Sequence, residues 1–415
     1  MALITAFALL VFFHSLVSRR MTRTVVTAPI LFTAAGAALS FVPAVADAMA
    51  LERGVFLAIA ELGLVMTLFT DAAGVSPRRL SGNSMLPARL LGTGMLLTIL
   101  LGAACAAAVF AGLAWWEACI LAAILAPTDA GLGQLIVSSE RVPARIREAL
   151  NVEAGLNDGL SVPFMLLFIA LATDAASGSD AGTTLARFLG EQLGYGALIG
   201  LGIGLAGGAL LGRSQRSGWM TPAMAQLGVM ALPLLCAIAS EELRASMFIA
   251  AFVCGLAVQA GFRGVARHSV EFTEDWGQLL DFFVFLLFGT IVARAWQAFT
   301  FETLIYAILS LTLVRMVPVA IALRGTGLHR STVLFMGWFG PRGLASIVLG
   351  LVYLEQEASL AGDSTIRVAV IATVLLSILL HGLSTLPGIA VYSRRLATLP
   401  PDAPERADTA RTGPA

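Results

Sequence analysis

Asn157 and Asp158 lie near the middle of an apolar segment, 148–171, that is long enough to cross a bilayer. An ionisable carboxylate at membrane depth is costly and marks a functional site by default. Glu153 lies in the same segment, five residues before Asp158. At 100° per residue, Glu153 and Asn157 are about 40° apart on a helix, whereas Asp158 points about 140° away from Glu153. The two carboxylates therefore need different partners.

Two more charges interrupt apolar segments, Asp129 in the preceding one and Arg342 in a much later one. Because a lone charge at the bilayer centre costs roughly 2.5–3.5 kcal/mol, we expect pairing. We predict that Arg342 and Glu153 form a buried ion pair and that Asp158 faces a cavity without a fixed cation. Such a carboxylate must hold either sodium or a proton, because leaving it bare is expensive. That competition is itself an exchange mechanism.

The residues around the carboxylates supply oxygen ligands. Thr128 offers a hydroxyl, Pro127 leaves backbone carbonyls free beside it, and Asn157 offers a side-chain amide. Hard oxygen ligands suit a small alkali ion, so we predict bound Na⁺ at Asp158 and Thr128. Asp129 and Arg342 serve either to compensate the ends of half-helices or to touch the ion directly, and the residue types leave both readings open.

Composition places these residues in a membrane protein, since 58% of the chain is hydrophobic and 13% is charged. Mean hydropathy is +0.87. A spanning helix needs about 20 apolar residues. The sequence predicts an all-α polytopic protein with about 13 transmembrane helices, at 3–17, 28–46, 54–70, 90–113, 117–137, 148–171, 186–211, 221–239, 246–261, 279–296, 301–323, 331–354 and 368–392.

Segments five and twelve carry breaks that a lipid-exposed helix avoids. The first break is at Pro127 and the second at Pro341, each with glycine nearby. An offset of seven segments makes the two breaks equivalent if helices 1–6 and 8–13 are inverted six-helix repeats joined by helix 7. Paired broken helices in inverted repeats indicate the midplane site of a transporter.

All basic residues are arginine, and they collect in alternate connections. Counting positive charge in short loops places the N-terminus outside and the C-terminus in the cytoplasm. Termini on opposite sides require an odd number of segments, and thirteen is odd. The arginines of the richer connections are Arg19, Arg20, Arg23, Arg78, Arg79, Arg89, Arg141, Arg145, Arg147, Arg213, Arg216, Arg263, Arg267, Arg324, Arg330, Arg394 and Arg395.

The sequence divides into a membrane transport domain over 1–398 and a tail over 399–415, which its Pro/Ala/Asp/Arg composition predicts to be disordered. The four cysteines lack metal-ligand spacing. The four histidines lie at or near segment ends, which favours solvated or interfacial side chains; one of them is His381.

Three other intramembrane charges have simpler interpretations. Asp281 and Arg315 both lie toward the cytoplasmic side of their segments, so a structural salt bridge is favoured over a transport role for the two. Glu61 has no obvious partner in the sequence. It is a protonated packing residue, part of a path to the site, or a dimer contact, and the three remain open.

Four motifs together resemble the sodium/proton exchanger branch of the monovalent cation/proton antiporters, the NhaP-like proteins. The resemblance covers essentially the whole membrane region. Its most specific element is the Asn-Asp pair with Glu five residues before Asp. The motifs are Pro127-Thr128-Asp129, the run from Asn151 to Gly159, the run from Asp281 to Gly289, and Gly340-Pro341-Arg342-Gly343.

The resemblance implies a role for each matched residue. It implies that Asp158 binds the cation or the proton and that Thr128 and Asp129 help to build the ion site. It also implies that Glu153 and Arg342 form a structural ion pair. It also implies a homodimer in which core helices 4–6 and 11–13 move past dimerisation helices 1–3 and 8–10. Asn rather than Asp at position 157 resembles the electroneutral branch with 1:1 exchange.

The expected function is therefore secondary antiport of Na⁺ or Li⁺ against H⁺ in the cell (inner) membrane, with no cofactor, no nucleic-acid partner and no enzymatic activity. Potassium/proton exchange is the alternative within this class. A passive cation channel explains the carboxylates but not the inverted repeat. An intramembrane enzyme lacks a nucleophile motif or metal-ligand cluster. Ala130 and Ala154 depart from the family pattern, which often has Pro and a hydroxyl residue there.

Overall fold

The structure, a computed structural model, describes residues 2–21, 24–43, 53–74, 85–177, 188–262, 267–355, 360–400 and 403–406. This part of the chain contains helices and no strands, which confirms the predicted all-α fold. Four arginines of the arginine-rich connections, and most of the predicted tail, lie outside these ranges: Arg23, Arg78, Arg79, Arg263 and residues 401, 402 and 407–415.

Thirteen helices, two of them interrupted, are numbered along the described chain. They are α1 Ala2–Met21, α2 Ala28–Leu39, α3 Arg53–Gly74, α4 Met85–Val109, α5a Trp115–Ile124, α5b Ala130–Val137, α6 Ala144–Ser177, α7 Phe188–Tyr195 continued by Gly196–Arg216, α8 Pro222–Glu242, α9 Met247–Gly261, α10 Arg267–Ala295, α11 Phe301–Ala322, α12a Arg330–Trp338, α12b Leu344–Glu355 and α13 Asp363–Ala397.

Among the described helices, nine are long and apolar enough to cross a membrane, and four more are apolar but shorter. The chain is therefore a multi-pass membrane protein. The interruptions in α5 and α12 fall where the sequence predicts them. The number of membrane crossings and the inverted repeat remain predictions.

The helices pack in two groups. In the first, α4, α5, α6, α11, α12 and α13 contact one another. In the second, α2, α3, α7, α8, α9 and α10 do so. Contacts between the groups are fewer and run mainly from α6, α12b and α13 to α3, α9 and α10. Both interrupted helices therefore belong to one group, and the other group forms a wall beside them.

A glycine face on α7 allows its close packing against α9. Gly200 and Gly204 lie one turn apart, and a Cβ atom on either would meet a backbone carbonyl oxygen of α9, from Ala250 and Cys254 respectively. Small residues let helix backbones approach closely in membranes. These glycines thus bring α7 into backbone contact with α9.

The prediction of a disordered tail over 399–415 is wrong for residues 403–406. Pro404–Arg406 form a short 3₁₀ turn, and Glu405 is only 1% exposed. Its carboxylate accepts hydrogen bonds from the backbone N–H of His329, at 2.6 Å, and from the Thr332 hydroxyl, at 2.9 Å. A carboxylate at a helix N-terminus is favourable because backbone donors there lack partners. The polar composition hid this anchor at the start of α12a.

The α7–α9 contact makes a first prediction. Gly200→Ala places a methyl group against the Ala250 carbonyl, so we expect a loss of about 1–3 kcal/mol of stability from overpacking. Gly202→Ala is the matched control, since nothing lies within 4 Å of its added Cβ. Melting temperature and monodisperse yield in detergent measure both. Equal behaviour of the two variants would contradict the close approach.

Candidate functional site

The interruption of α5 follows from its sequence. Pro127 has no backbone donor, and the helix ends at Ile124 before it. Asp129 then starts α5b as its N-cap, with its Oδ1 atom accepting a hydrogen bond from the Leu132 N–H at 2.8 Å. Thr128 lies between the two half-helices and is 3% exposed. The break thus places a hydroxyl and free backbone groups inside the protein.

The interruption of α12 lies directly against that of α5. The Asp129 N–H donates to the carbonyl oxygen of Pro341 at 2.8 Å, so the two non-helical stretches are joined by a backbone hydrogen bond. The other carboxylate oxygen of Asp129, Oδ2, accepts from the Leu344 N–H at 2.5 Å. One carboxylate therefore caps the N-termini of both α5b and α12b, where helix dipoles favour negative charge.

Arg342 performs the opposite function. Its side chain is 0% exposed, and its Nη1 atom donates to the carbonyl oxygens of Ala126 and, at 2.9 Å, of Pro127. These carbonyls follow the C-terminal end of α5a, where a positive charge is stabilising. For both Asp129 and Arg342, the observed contacts are the helix-end compensation that the sequence left as one of two alternatives.

The predicted ion pair between Glu153 and Arg342 is wrong. Glu153 instead pairs with Arg315 of α11, through Nη1 to Oε1 at 2.5 Å and Nη2 to Oε2 at 3.0 Å. Glu153 is 2% and Arg315 is 4% exposed. A planar guanidinium meets a carboxylate in this two-bond geometry. Arg342 instead donates from its Nη1 atom to the carbonyl oxygens of Ala126 and Pro127, which follow α5a.

The favoured salt bridge between Asp281 and Arg315 is also wrong, because Glu153 takes Arg315. The Asp281 carboxylate accepts a long hydrogen bond, 3.5 Å, from the Thr67 hydroxyl of α3. Glu61, also in α3, is half-buried and is not among the described residues that line the cavity beside the site. Neither the path role nor the dimer role proposed for Glu61 is tested by this position.

Asn157 and Thr128 meet as the sequence predicts, and Asp158 is the next residue on α6. The Asn157 Nδ2 atom donates to the Thr128 Oγ1 atom at 2.7 Å. Two neighbouring oxygens, Oδ1 of Asn157 and Oδ1 of Asp158, are buried and have no hydrogen-bond partner within the described chain. Asp158 is 4% exposed. A buried carboxylate oxygen without a donor is expensive unless a cation or a proton occupies it.

Asp71 of α3 also belongs to this group, although sequence reasoning missed it. Its side chain packs closely against Gly155, where an added Cβ atom would lie 3.2 Å from the Asp71 Cβ atom, and Gly155 is three residues before Asp158 on α6. The Oδ2 atom of Asp71 is buried without a described partner. The only available signal was an acidic residue just beyond the end of apolar segment 54–70.

A cavity of about 590 Å³ reaches Asp158 from one side of the helices. The four aspartates on its wall come from α3, the start of α5b, α6 and α10, which include helices of both packing groups. The cavity extends along α5b and the second half of α1. It reaches the ends of these two helices that adjoin arginine-rich connections. Its acidic lining residues are Asp71, Asp129, Asp158 and Asp281.

These oxygens suit a small monovalent cation. A hydroxyl, an amide oxygen and one or two carboxylates are hard ligands without the nitrogen or sulfur atoms that transition metals prefer. Among the described residues, no group of three His, Cys, Asp or Glu side chains is arranged to hold a metal ion. Such oxygens can bind an alkali ion, and the Asp158 carboxylate can bind a proton instead.

Comparison with known proteins agrees with this chemistry. The family model described as "Sodium/hydrogen exchanger, transmembrane" matches residues 5–389. A Na⁺/H⁺ antiporter of Schizosaccharomyces pombe is 25% identical over 311 residues, covering 67% of this chain and 65% of the relative. A K⁺/H⁺ antiporter, NhaP, of Alkalimonas amylolytica is 25% identical over 250 residues, covering 59% and 42%. The chain thus spans less than two thirds of either relative.

One solved structure shares the fold over nearly the whole chain. The sodium proton antiporter MjNhaP1 from Methanocaldococcus jannaschii, solved at pH 8, superposes with a TM-score of 0.77 at 19% identity. The match covers 96% of this chain and 99% of that one. Together with the family match, it confirms the resemblance inferred from the four sequence motifs.

The observed ion pair makes a second prediction. Arg315→Met leaves the Glu153 carboxylate buried without its cation, so we expect a loss of about 3–5 kcal/mol. Adding Glu153→Met to this variant should restore much of the stability, because a buried pair can be replaced by apolar side chains. Melting temperature in detergent measures both variants. A single variant as stable as the wild type would refute the assigned pairing.

Proposed function

Since the chain belongs to the transmembrane sodium/hydrogen exchanger family, we propose that it is a secondary antiporter exchanging Na⁺ or Li⁺ for H⁺ at Asp158. The observation that carries this proposal is the buried Asp158 carboxylate, whose Oδ1 atom has no partner within the described chain and which borders the large cavity. Glu153 shows the contrast, because its carboxylate is neutralised by Arg315.

Competition at one carboxylate supplies the coupling. Either a cation or a proton neutralises Asp158, and each displaces the other. The Thr128 hydroxyl accepts from the Asn157 amide N–H and keeps a second lone pair for an ion. The Asn157 Oδ1 atom and the Asp71 carboxylate supply further oxygens from two sides of the site.

Exchange of one proton for one ion follows from the charges beside Asp158. Asn157 is neutral, so it cannot bring a second proton. Asp129 accepts backbone hydrogen bonds on both carboxylate oxygens, which hold it at the two helix ends. We infer that Asp158 is the carboxylate whose proton is exchanged, so one monovalent ion replaces one proton and the exchange is electroneutral, as expected from the resemblance.

The cavity supports an orientation and a mode of movement. It lies on the side of the arginine-rich connections, so we infer that this conformation is open to the cytoplasm, with the N-terminus outside and the C-terminus in the cytoplasm. The group that contains α5, α6 and α12 acts as the moving core. The group of α2, α3 and α8–α10, with α1, provides the dimerisation domain of a homodimer in the cell membrane, and α7 links the two.

Potassium/proton exchange is the second candidate, favoured by the similarity to the K⁺/H⁺ antiporter of Alkalimonas amylolytica. The oxygen ligands described above suit either ion by type, because both are hard monovalent cations. Potassium is larger and needs a wider arrangement of oxygens. The transport assay therefore compares Na⁺, Li⁺ and K⁺ on the same membranes.

The third prediction tests the central carboxylate. Asp158→Asn removes the group that binds ion and proton, so we expect loss of cation-induced collapse of a pH gradient in everted vesicles. Asp174→Asn is the matched control, because Asp174 lies on the same helix and does not line the cavity. Size-exclusion profiles of both variants check folding.

Each outcome of this assay has a distinct meaning. A saturable Na⁺ or Li⁺ response that disappears only in Asp158→Asn supports the proposed exchange. A response to K⁺ alone keeps the mechanism and changes the substrate. Cation flux that persists in Asp158→Asn, or that proceeds without proton movement, points instead to a channel.

The fourth prediction concerns Asp71. If its carboxylate helps to bind the ion, Asp71→Asn should raise the apparent KM for Na⁺ roughly tenfold, which corresponds to about 1.4 kcal/mol. Asp281→Asn is the control, since it removes a charge from the same cavity but from α10. Similar increases in both variants would show that the cavity's overall negative field, and not contact with Asp71, attracts the cation.

A further inference from the structure

The polar face of α13 lies across the interruption of α12. Ser377 and His381 are one turn apart on α13 and are 0% and 1% exposed. His381 is therefore neither solvated nor interfacial, contrary to the expectation from the sequence. The reason is that α13 extends over Asp363–Ala397 and carries His381 well inside its length.

These two side chains connect the two sides of the break. The backbone N–H of Arg342 donates to the Ser377 Oγ atom at 2.7 Å. The Ser377 Oγ atom lies 3.1 Å from Nδ1 of His381. The other ring nitrogen, Nε2, lies 2.9 Å from the carbonyl oxygen of Trp338, the last residue of α12a.

The two ends of this chain of hydrogen bonds have fixed roles, because a backbone N–H can only donate and a carbonyl oxygen can only accept. The Ser377 Oγ atom therefore accepts from the Arg342 N–H, and a protonated Nε2 of His381 donates to Trp338. Nδ1 of His381 lies 3.1 Å from the Ser377 hydroxyl and 3.0 Å from the Ser377 carbonyl oxygen, so it accepts from the first or, when protonated, donates to the second. His381 is joined to Ser377 in either form. A charged imidazolium would add a cation to a buried region that already holds Arg342 and Arg315.

The chain of hydrogen bonds continues to the proposed ion-binding residues through the side chain of Arg342. Its Nη1 atom donates to the carbonyl oxygens of Ala126 and Pro127, which immediately precede Thr128. Thr128 in turn accepts from Asn157. A displacement of the α12 break is thus transmitted to the first residues of the ion site by hydrogen bonds alone.

We propose that Ser377 and His381 are positioning residues that hold the α12 break, and through Arg342 the Thr128 oxygens, in the geometry that binds the cation. Neither residue lines the cavity, so neither touches the ion. This inference rests on the proposed function, because it assigns the cation affinity of that same site. It predicts that loss of this chain of hydrogen bonds weakens cation binding more than it slows turnover.

The test uses purified full-length protein in proteoliposomes, with KM and Vmax measured for whichever of Na⁺, Li⁺ or K⁺ the wild type exchanges. Ser377→Ala and His381→Leu interrupt the chain, and we expect each to raise KM about tenfold, as for the loss of a buried hydrogen bond. Thr373→Ala is the matched control. Its hydroxyl is also buried on α13 but bonds only to the Ala369 carbonyl of its own helix.

His381→Gln is the conservative variant. A side-chain amide has one acceptor and one donor group, so it can replace both ring nitrogens between Ser377 and Trp338. We expect its KM to stay within about threefold of the wild type. The cation-induced rise in melting temperature gives a second measure of affinity that does not require turnover.

A purely structural role predicts a different pattern. If Ser377→Ala and His381→Leu lower only the melting temperature and leave KM at the value of Thr373→Ala, the positioning role is overturned. If His381→Gln is as impaired in KM as His381→Leu, the hydrogen-bonded chain is not what matters. A wild type that responds to none of the three cations overturns the proposed function itself, which separates that failure from the others.

Discussion

The crossing of two interrupted helices is the constraint on which the rest of this structure depends. Each interruption exposes backbone groups that a bilayer cannot satisfy, so the two must satisfy each other or be satisfied by buried side chains. Asp129 caps two N-termini and Arg342 binds the carbonyls after α5a, so the opposite charges neutralise opposite helix ends. Non-helical backbone is thereby stable at the depth where an ion must be bound, with no lipid contact required of it.

Two classes of buried charge surround this crossing and have different roles. Asp129, Arg342, and the pair of Glu153 with Arg315 are occupied by fixed partners, so they stabilise a rigid frame. Asp158 has an oxygen without such a partner and borders the cavity. Because the frame compensates its own charges, a change in the occupancy of Asp158 alters the local charge without disturbing the supporting helices. In the proposed exchange, this division would let one carboxylate alternate between a cation and a proton.

The sequence predicted the elements well and the partnerships less well. Hydropathy and the prolines located the helices and both interruptions, and motif spacing brought Thr128 and Asn157 together correctly. A helical angle, however, gives the direction of Glu153 on its own helix and cannot say which arginine on another helix faces it. Asp71 was missed because α3 continues beyond the apolar segment that hydropathy delimits. Burial of His381 could not be predicted because it depends on where α12 crosses α13.

The size of the cavity has a consequence for how an ion loses its water. At about 30 Å³ per molecule in the liquid, 590 Å³ has room for on the order of twenty waters. A cation can therefore enter with its hydration shell intact and exchange it for protein oxygens only beside Asp158. The dehydration penalty, which differs between alkali ions, is then met in a single step at the end of the cavity. Ion choice would be decided there, by the few oxygens of α5 and α6, and the wide approach would contribute little to it.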